Sequence, residues 1–484
     1  MSFLTPQFFL FFPLVVLGYF LLPQRGRNLW LLACSWFFYL CAGPVYFLFL
    51  LAVILLTYGG ARLMEGRDDR AKRGVLALLL LVLFGTLFLF KYLGFALGIL
   101  ERALALAGLA LHSPALDLIL PAGISFYLFM AAGYLVDVYR GDRAAERGFV
   151  TYALFLSFFP HLLSGPIGRA EGLIPQFHEV HRFDYARLRA GLLRFLWGAF
   201  KKLVIADRLG ILVSTVYAAP EQFGRLQVMA AAVAFSVQIY CDFSAYSDMA
   251  LGCAEVMGFR LMENFRTPYF SRSIAEFWRR WHISLSSWFR DYLYIPLGGS
   301  RKGTWRKYGN VLIVFAVSGL WHGAALTFVA WGLLNGLYQV VGGLTAGLRA
   351  KCRRGLHLAD DGKLTALWQM LCTFGLSTVA WVFFKGGSFT HSLLIFRRMF
   401  TGPWLTHPVT AWGLDRPELL VAFLAVVLLL CVDVASLRGG LRKKILALPR
   451  FVRWAIALAL LLIVLIFGVY GTGYDPQDFI YFKF

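Results

Sequence analysis

Long apolar runs recur from one end of this 484-residue chain to the other, separated by short polar or basic connections. They fall near residues 3–22, 28–43, 45–63, 74–98, 117–138, 150–166, 188–206, 226–257, 309–327, 328–348, 365–385, 418–436 and 453–471. A membrane-crossing helix needs about 20 apolar residues. The pattern therefore predicts an all-α polytopic membrane protein with about eleven crossings. The 150–166 and 188–206 runs are shorter or more interrupted, and one or both are expected to be re-entrant. The first run, MSFLTPQFFLFFPLVVLGYFLLP, has no basic start and no small-residue cleavage site, so it reads as a span and not a removable signal. No serine- and proline-rich linker, repeat or low-complexity tract interrupts the pattern, so residues 1–484 read as one membrane domain.

Composition agrees. Charged residues make up 15% of the chain, against about 25% in soluble domains, and the mean hydropathy is +0.68. The net charge of +21 would suggest nucleic acid in a soluble protein. Here the basic clusters are short and lie between apolar spans, which points to cytoplasmic loops and anionic lipid headgroups and against nucleic acid. Arg25 and Arg27, the 62–73 cluster, Arg140 to Arg147, Arg301 to Lys307, Lys351 to Arg354 and Arg438 to Lys444 mark alternate connections. The intervening loops are nearly free of basic residues. This alternation predicts basic loops in the cytoplasm and both termini outside. The seven cysteines form no CxxC pair, so neither a disulfide framework nor a zinc site is expected.

Polar residues inside apolar runs are the candidates for chemistry. His322 sits in VLIVFAVSGLWHGAALTFVAWGLL. An ionisable ring in hydrocarbon is costly unless it faces a wet cavity or a polar partner, and imidazole is suited to moving protons near neutral pH. Gly319 and Gly323 leave room for a close approach, and Trp321 is placed to wall a cavity. The competing reading is a structural histidine that donates to a neighbouring helix. His282 lies in FWRRWHISLSSWFRDYLYIPLGG, where Arg279, Arg280 and Trp281 add charge and aromatic bulk. That mixture fits either the wall of a polar tunnel or an interfacial helix on lipid. The IPLGGSRKG stretch is a weak phosphate-nest signal, and a plain loop is the simpler reading. Asp242 and Asp248, in YCDFSAYSDMALG, need partners at membrane depth. They would line an ion path, orient a histidine, or pair with Arg260 or Arg266. His161 stands beside Pro160 and close to Gly165 and Pro166, where a broken helix suits a re-entrant loop bordering a cavity. His112, His178, His181, His357, His391 and His407 lie near loops or span ends and take no role. GxSxG, Walker A, HExxH and CxxC motifs are absent.

These segments resemble the membrane-bound O-acyltransferase superfamily, in particular the bacterial branch that holds alginate O-acetyltransferases and D-alanyl transferases. The matching stretches are LPAGISFYLF (120–129), FFPHLLSGPIGR (158–169), QIYCDFSAYSDMALG, MGFRLMENFRTPY (257–269), FWRRWHISLSSWFRDYLYIPLGG, GLWHG and the terminal DFIYFKF (478–484). Lys483 departs slightly from the pattern of many relatives. The resemblance implies a catalytic His322, a second important polar residue at His282, and a family histidine at His161. It implies a thinned bilayer around a central funnel joining a cytoplasmic donor site to an outer acceptor site, with the catalytic core at about 117–348. It also implies a bacterial cytoplasmic membrane location and a polysaccharide-modifying partner outside.

The expected reaction moves an acyl group, acetyl by the resemblance, from a cytoplasmic thioester such as acetyl-CoA or an acyl-carrier protein. Basic loops would attract that anionic donor. No tightly bound cofactor and no metal are expected. His322 would take the proton of the attacking hydroxyl, and His282 would orient the acyl group or donate to the oxyanion. The rival readings are D-alanyl or other acyl transfer to a cell-wall polymer, a polysaccharide or proton-coupled transporter, and a secretion scaffold. Transporters of this kind often show inverted repeats, and none is evident.

Overall fold

A computed structural model describes residues 1–109, 120–163, 165–359 and 362–470. The expectations that fall on His112, on the start of the 117–138 run and on the DFIYFKF stretch lie outside the described residues. No strand occurs among the described residues, and helices follow one another throughout. Six are long and apolar enough to cross a membrane unaided: Pro44–Met64, Asp69–Leu106, Arg225–Met257, Lys363–Lys385, Arg416–Leu437 and Arg450–Phe467. Several of the other expected spans are shorter helices, such as Pro6–Leu21 with 16 residues and Gln24–Leu40 with 17. The 150–166 run divides into Phe149–Ser157 and the four-residue Phe159–Leu162. The break falls at Phe158, because Pro160 has no N–H to carry the first helix on and fits instead the first turn of the second.

The chain forms two compact units. The first comprises Met1–Leu192 and Ala250–Met262. Its core is aromatic: Phe8, Phe11, Phe38 and Phe159 pack with ring centroids 5.4–6.4 Å apart. The helix Ile124–Arg140 runs through it, buried without interruption from Ile124 to Leu135. Gly123 and Gly141 bracket that helix at φ 74° and 77°, a left-handed conformation that glycine adopts without steric cost. Tyr152 donates to Thr57 Oγ1 at 2.6 Å, which satisfies two buried hydroxyls.

The second unit comprises Leu193–Met249 and Glu263–Phe484. Thr304–His322 and Leu326–Leu344 form an antiparallel hairpin whose backbones nearly touch. A Cβ at Gly319 would lie 2.2 Å from the Phe328 carbonyl oxygen, and one at Gly332 would lie 2.2 Å from that of Phe315. Small residues allow such contact between apolar helices, and here they set His322 at the hairpin tip. Arg450–Phe467 turns Phe451, Trp454, Leu465 and Ile466 outward, as a lipid-facing helix does. The loops at residues 220–227 and 398–407 are stitched together. Arg398 donates to the carbonyls of Glu221 and Phe223, and the Leu226 amide donates to Trp404.

Candidate functional site

His322 is the last residue of its helix and is 3% exposed; His282 is fully buried. Both belong to the second unit. Their ring centroids are 6.5 Å apart and their planes meet at 58°. That is too far for a direct ring-to-ring hydrogen bond of about 3 Å. Aromatic rings wall the pair. Trp321 and Trp331 each lie 4.9 Å from the His322 centroid, Phe384 lies 5.4 Å from it, and Phe243 stands edge-on 4.6 Å from His282. Trp321 also reaches His282, at 5.8 Å. Trp281 stacks on Phe277 at 5.4 Å and packs at a tilt against Trp381 at 5.0 Å.

The backbone at His282 is unusual. It follows Ile274–Arg280, which begins with Ser273 accepting from the Glu276 amide, and precedes Ile283–Phe289. His282 links the two helices in the left-handed region, at φ 43°. A non-glycine residue there is strained, and such strain persists where surrounding contacts hold it. The holding group is Asn264. Its Oδ1 lies 3.1 Å from His282 Nδ1 and accepts from Ser284 Oγ at 2.9 Å and from the Ser284 amide at 3.3 Å. Its Nδ2 donates to Ser247 Oγ at 3.2 Å.

Beside the pair lies a cavity of about 1080 Å³. Arg194, Arg266, Arg279, Arg280 and Arg442 give it charge, and Leu428, Val432, Ile456, Leu460 and Ile463 give it an apolar flank. Ser247, Asn264 and Phe265 lie on its wall, whereas neither histidine does. Phe265 packs edge-on against Phe243 at 5.0 Å, and Phe243 in turn packs on His282. The cavity therefore stops, in this structure, at Asn264 and Phe265, short of both histidines.

Asp242 and Asp248 are paired, but with partners other than Arg260 or Arg266. Asp248 accepts from Arg194 Nε at 2.8 Å and from Lys201 Nζ at 2.6 Å, and Arg194 also forks onto both oxygens of Glu263 at 2.8 and 2.6 Å. Lys202 bridges Asp242 at 2.8 Å and Asp207 at 2.7 Å. The two lysines open a six-residue π-helical stretch, Lys201–Ala206, which turns both adjacent side chains inward. Burying several unit charges this deep requires such pairing. Tyr240 donates to Asp433 Oδ2 at 3.1 Å on the cavity wall.

Of the remaining candidates, Arg280 pairs with Glu276 at 2.6 Å, and it lines the cavity with Arg279. His161 is buried in the first unit, 5.8 Å from the Phe158 ring, and neither of its nitrogens has a hydrogen-bond partner among the described residues. The IPLGGSRKG stretch is a braced loop: Asn310 donates to the Gly299 carbonyl at 3.0 Å. Among the described residues no group of three or more metal-ligating side chains occurs. Sequence reasoning missed Asn264, Arg194, Lys201, Lys202 and Asp433. Arg194, Lys201, Lys202 and Asp433 had a visible signal, as charges inside the apolar 188–206 and 418–436 runs. Asn264, in the MENF stretch, had none, because its importance comes from a contact across 18 residues of chain.

Two imidazoles set in an aromatic nest thus stand beside a cavity lined by arginines, and comparison with known proteins gives the class of protein. The sequence pattern of the MBOAT, membrane-bound O-acyltransferase family, matches residues 27–386. The chain is 37% identical to the probable alginate O-acetylase AlgI of Pseudomonas putida over 430 residues, covering 86% of this chain and 84% of that protein. It is 34% identical to the peptidoglycan O-acetyltransferase of Helicobacter pylori, covering 82% and 79%. Against the teichoic acid D-alanyltransferase of Bacillus subtilis, identity is 27%, covering 58% and 72%. The chain belongs to the membrane-bound O-acyltransferase family, and it is a multi-pass membrane acyltransferase.

Proposed function

We propose that this enzyme carries acetyl groups from a cytoplasmic thioester, acetyl-CoA or an acyl-carrier protein, across the bacterial cytoplasmic membrane for O-acetylation of an extracellular or periplasmic polysaccharide. The acceptor is a sugar hydroxyl, or a hydroxyl on an outer partner that passes the acetyl on. The likeness to alginate and peptidoglycan acetyltransferases supports the polymer class. The alternation of basic loops supports the orientation, with the arginine-lined mouth of the cavity facing the cytoplasm and its anionic donors. The observation that carries the reading is the placement of His282 and His322, 6.5 Å apart, beside that cavity.

In this reading the donor arm fills the apolar flank. The stretch from Leu428 to Leu437 on one cavity helix alone gives it about 14 Å of depth. Rotation of Phe265 opens the last step toward His282. His322 removes the hydroxyl proton as the oxygen attacks the thioester carbonyl. A carbon–oxygen bond forms, the carbon–sulfur bond breaks, and the departing thiolate takes the proton, so no redox partner is needed. His282 acts beside it on the hydroxyl or acyl group. Surrounding lipid and the aromatic nest exclude water, which would otherwise hydrolyse the thioester.

The test is acetyl analysis of extracellular polysaccharide from a deletion strain complemented with wild type or His322→Ala at equal membrane levels. Wild type restores acetylation and His322→Ala does not. Full acetylation with His322→Ala overturns the assignment.

A further inference from the structure

We infer that Asn264 is a positioning residue that keeps the proton of neutral His282 on Nδ1, so that Nε2 is the nitrogen that accepts. The inference rests on the acyl-transfer reading and deepens it.

One donor at the site has a fixed identity, the backbone N–H of Ser284. It lies in the first turn of Ile283–Phe289, where amides have no intrahelical acceptor. Asn264 Oδ1 is 3.3 Å from it. A flipped amide would set its NH₂ against that N–H, donor against donor, so the oxygen faces Ser284. The same oxygen lies 3.1 Å from His282 Nδ1. Two acceptors at that distance repel, so Nδ1 carries hydrogen and donates. In a neutral imidazole the second nitrogen is then an acceptor. Asn264 thus caps a helix it does not belong to and selects a tautomer with one atom.

The surroundings hold Asn264 on both sides. The Ile283 amide donates to the Asn264 carbonyl, and the Arg266 amide to the Arg280 carbonyl, each at 2.9 Å. This short ladder brackets the left-handed turn at His282. On the other side Arg194 binds both Glu263 and Asp248. Those residues are the chain neighbours of Asn264 and Ser247, which hydrogen-bond to each other. These half-buried charges therefore act as a clamp behind the amide.

The consequence concerns the division of labour. A neutral His282 with Nδ1 occupied presents Nε2 as an acceptor that orients the incoming hydroxyl before His322 takes its proton. His282 donates to a developing oxyanion through Nε2 only after taking up a second proton. This accepting role differs from the two the sequence offered, orienting the acyl group or donating to the oxyanion.

The experiment uses membrane vesicles carrying the full chain, supplied with labelled acetyl-CoA and the producing bacterium's polymer and secreted fraction. General-base contributions are about 10²–10⁴-fold. Asn264→Ala is expected to lower kcat at least about tenfold, with the donor KM within about twofold of wild type. Asn264→Asp keeps the accepting oxygen and adds a charge that favours imidazolium. It is expected to retain more activity than Asn264→Ala and to move the acid limb of the pH–rate profile up by about one unit or more. A wild-type kcat in Asn264→Ala, or an unshifted profile in Asn264→Asp, overturns the assignment. A measurement independent of any folding defect is the ¹⁵N spectrum of histidine-labelled wild-type protein, with His282→Gln used to identify the resonance. A protonated Nδ1 and a bare Nε2 are expected near neutral pH, and the reverse overturns the inference. Loss of transfer in wild-type vesicles, or its retention in His322→Ala, would instead count against the acyl-transfer reading itself.

Discussion

Two buried polar regions of the second unit solve the same physical problem in opposite ways. In the charge cluster, Arg194, Lys201 and Lys202 meet Asp207, Asp242, Asp248 and Glu263 at 2.6–2.8 Å, and each charge is answered by an opposite one. In the aromatic nest, His282 and His322 sit among tryptophan and phenylalanine rings, and the partner of His282 Nδ1 is a neutral amide. A carboxylate held between two cations has spent its proton affinity on structure. An imidazole held by a neutral group keeps its own for a substrate. Burial alone therefore does not separate a structural charge from a group free to act on a substrate; the kind of partner does.

The largest effect expected from breaking this contrast is on the nest. His322→Ala should cut acetyl transfer about a thousandfold, the middle of the general-base range, while leaving the melting temperature of the detergent-purified protein close to wild type. The cluster should behave in the reverse manner. Lys202→Met strips Asp242 and Asp207 of their shared cation and should cost about 3–5 kcal/mol, read as a fall in thermal stability. Adding Asp242→Asn should recover part of that loss, and no recovery would argue against the ion pair as the cause. Smaller again is Gly332→Val, whose Cβ meets the Phe315 carbonyl oxygen. Overpacking there should cost about 1–3 kcal/mol and lower activity as well, since the hairpin it spreads carries His322. Asp291→Asn is the control. Its partner Arg290 is 64% exposed, and a surface pair contributes at most about 1 kcal/mol, so both stability and transfer should stay near wild type.

His322 and His282 were legible because each is an ionisable side chain amid apolar or aromatic neighbours, an arrangement that hydrocarbon penalises wherever the chain folds. The broken helix at Phe158 was legible for a local reason: Pro160 has no N–H to continue the preceding helix and suits the first turn of the next. The pairing of Asp242 and Asp248 was expected, but the partners were misread. Arg260 and Arg266 are closer in sequence, whereas the π-helical stretch turns Lys201 and Lys202 inward, where they and Arg194 take both carboxylates. Hydrophobic length made the candidate spans legible, the 3–22 run included, but not which of them fold as helices long enough to cross unaided. Shorter ones such as Pro6–Leu21 depend on neighbours to complete their burial.

By itself the sequence determined that the chain is helical, membrane-embedded and equipped with two imidazoles at depth, because hydrophobic length and the cost of buried polarity are properties of composition and order. Only the tertiary structure decided that these imidazoles lie 6.5 Å apart, that Asn264 holds one of them, and that the charges beside them are clamped. Those are contacts between segments far apart in the chain. Whether Asn264 is an idle loop amide or the group that selects a tautomer depends on which backbone N–H it meets, and that meeting exists only once the helices have packed.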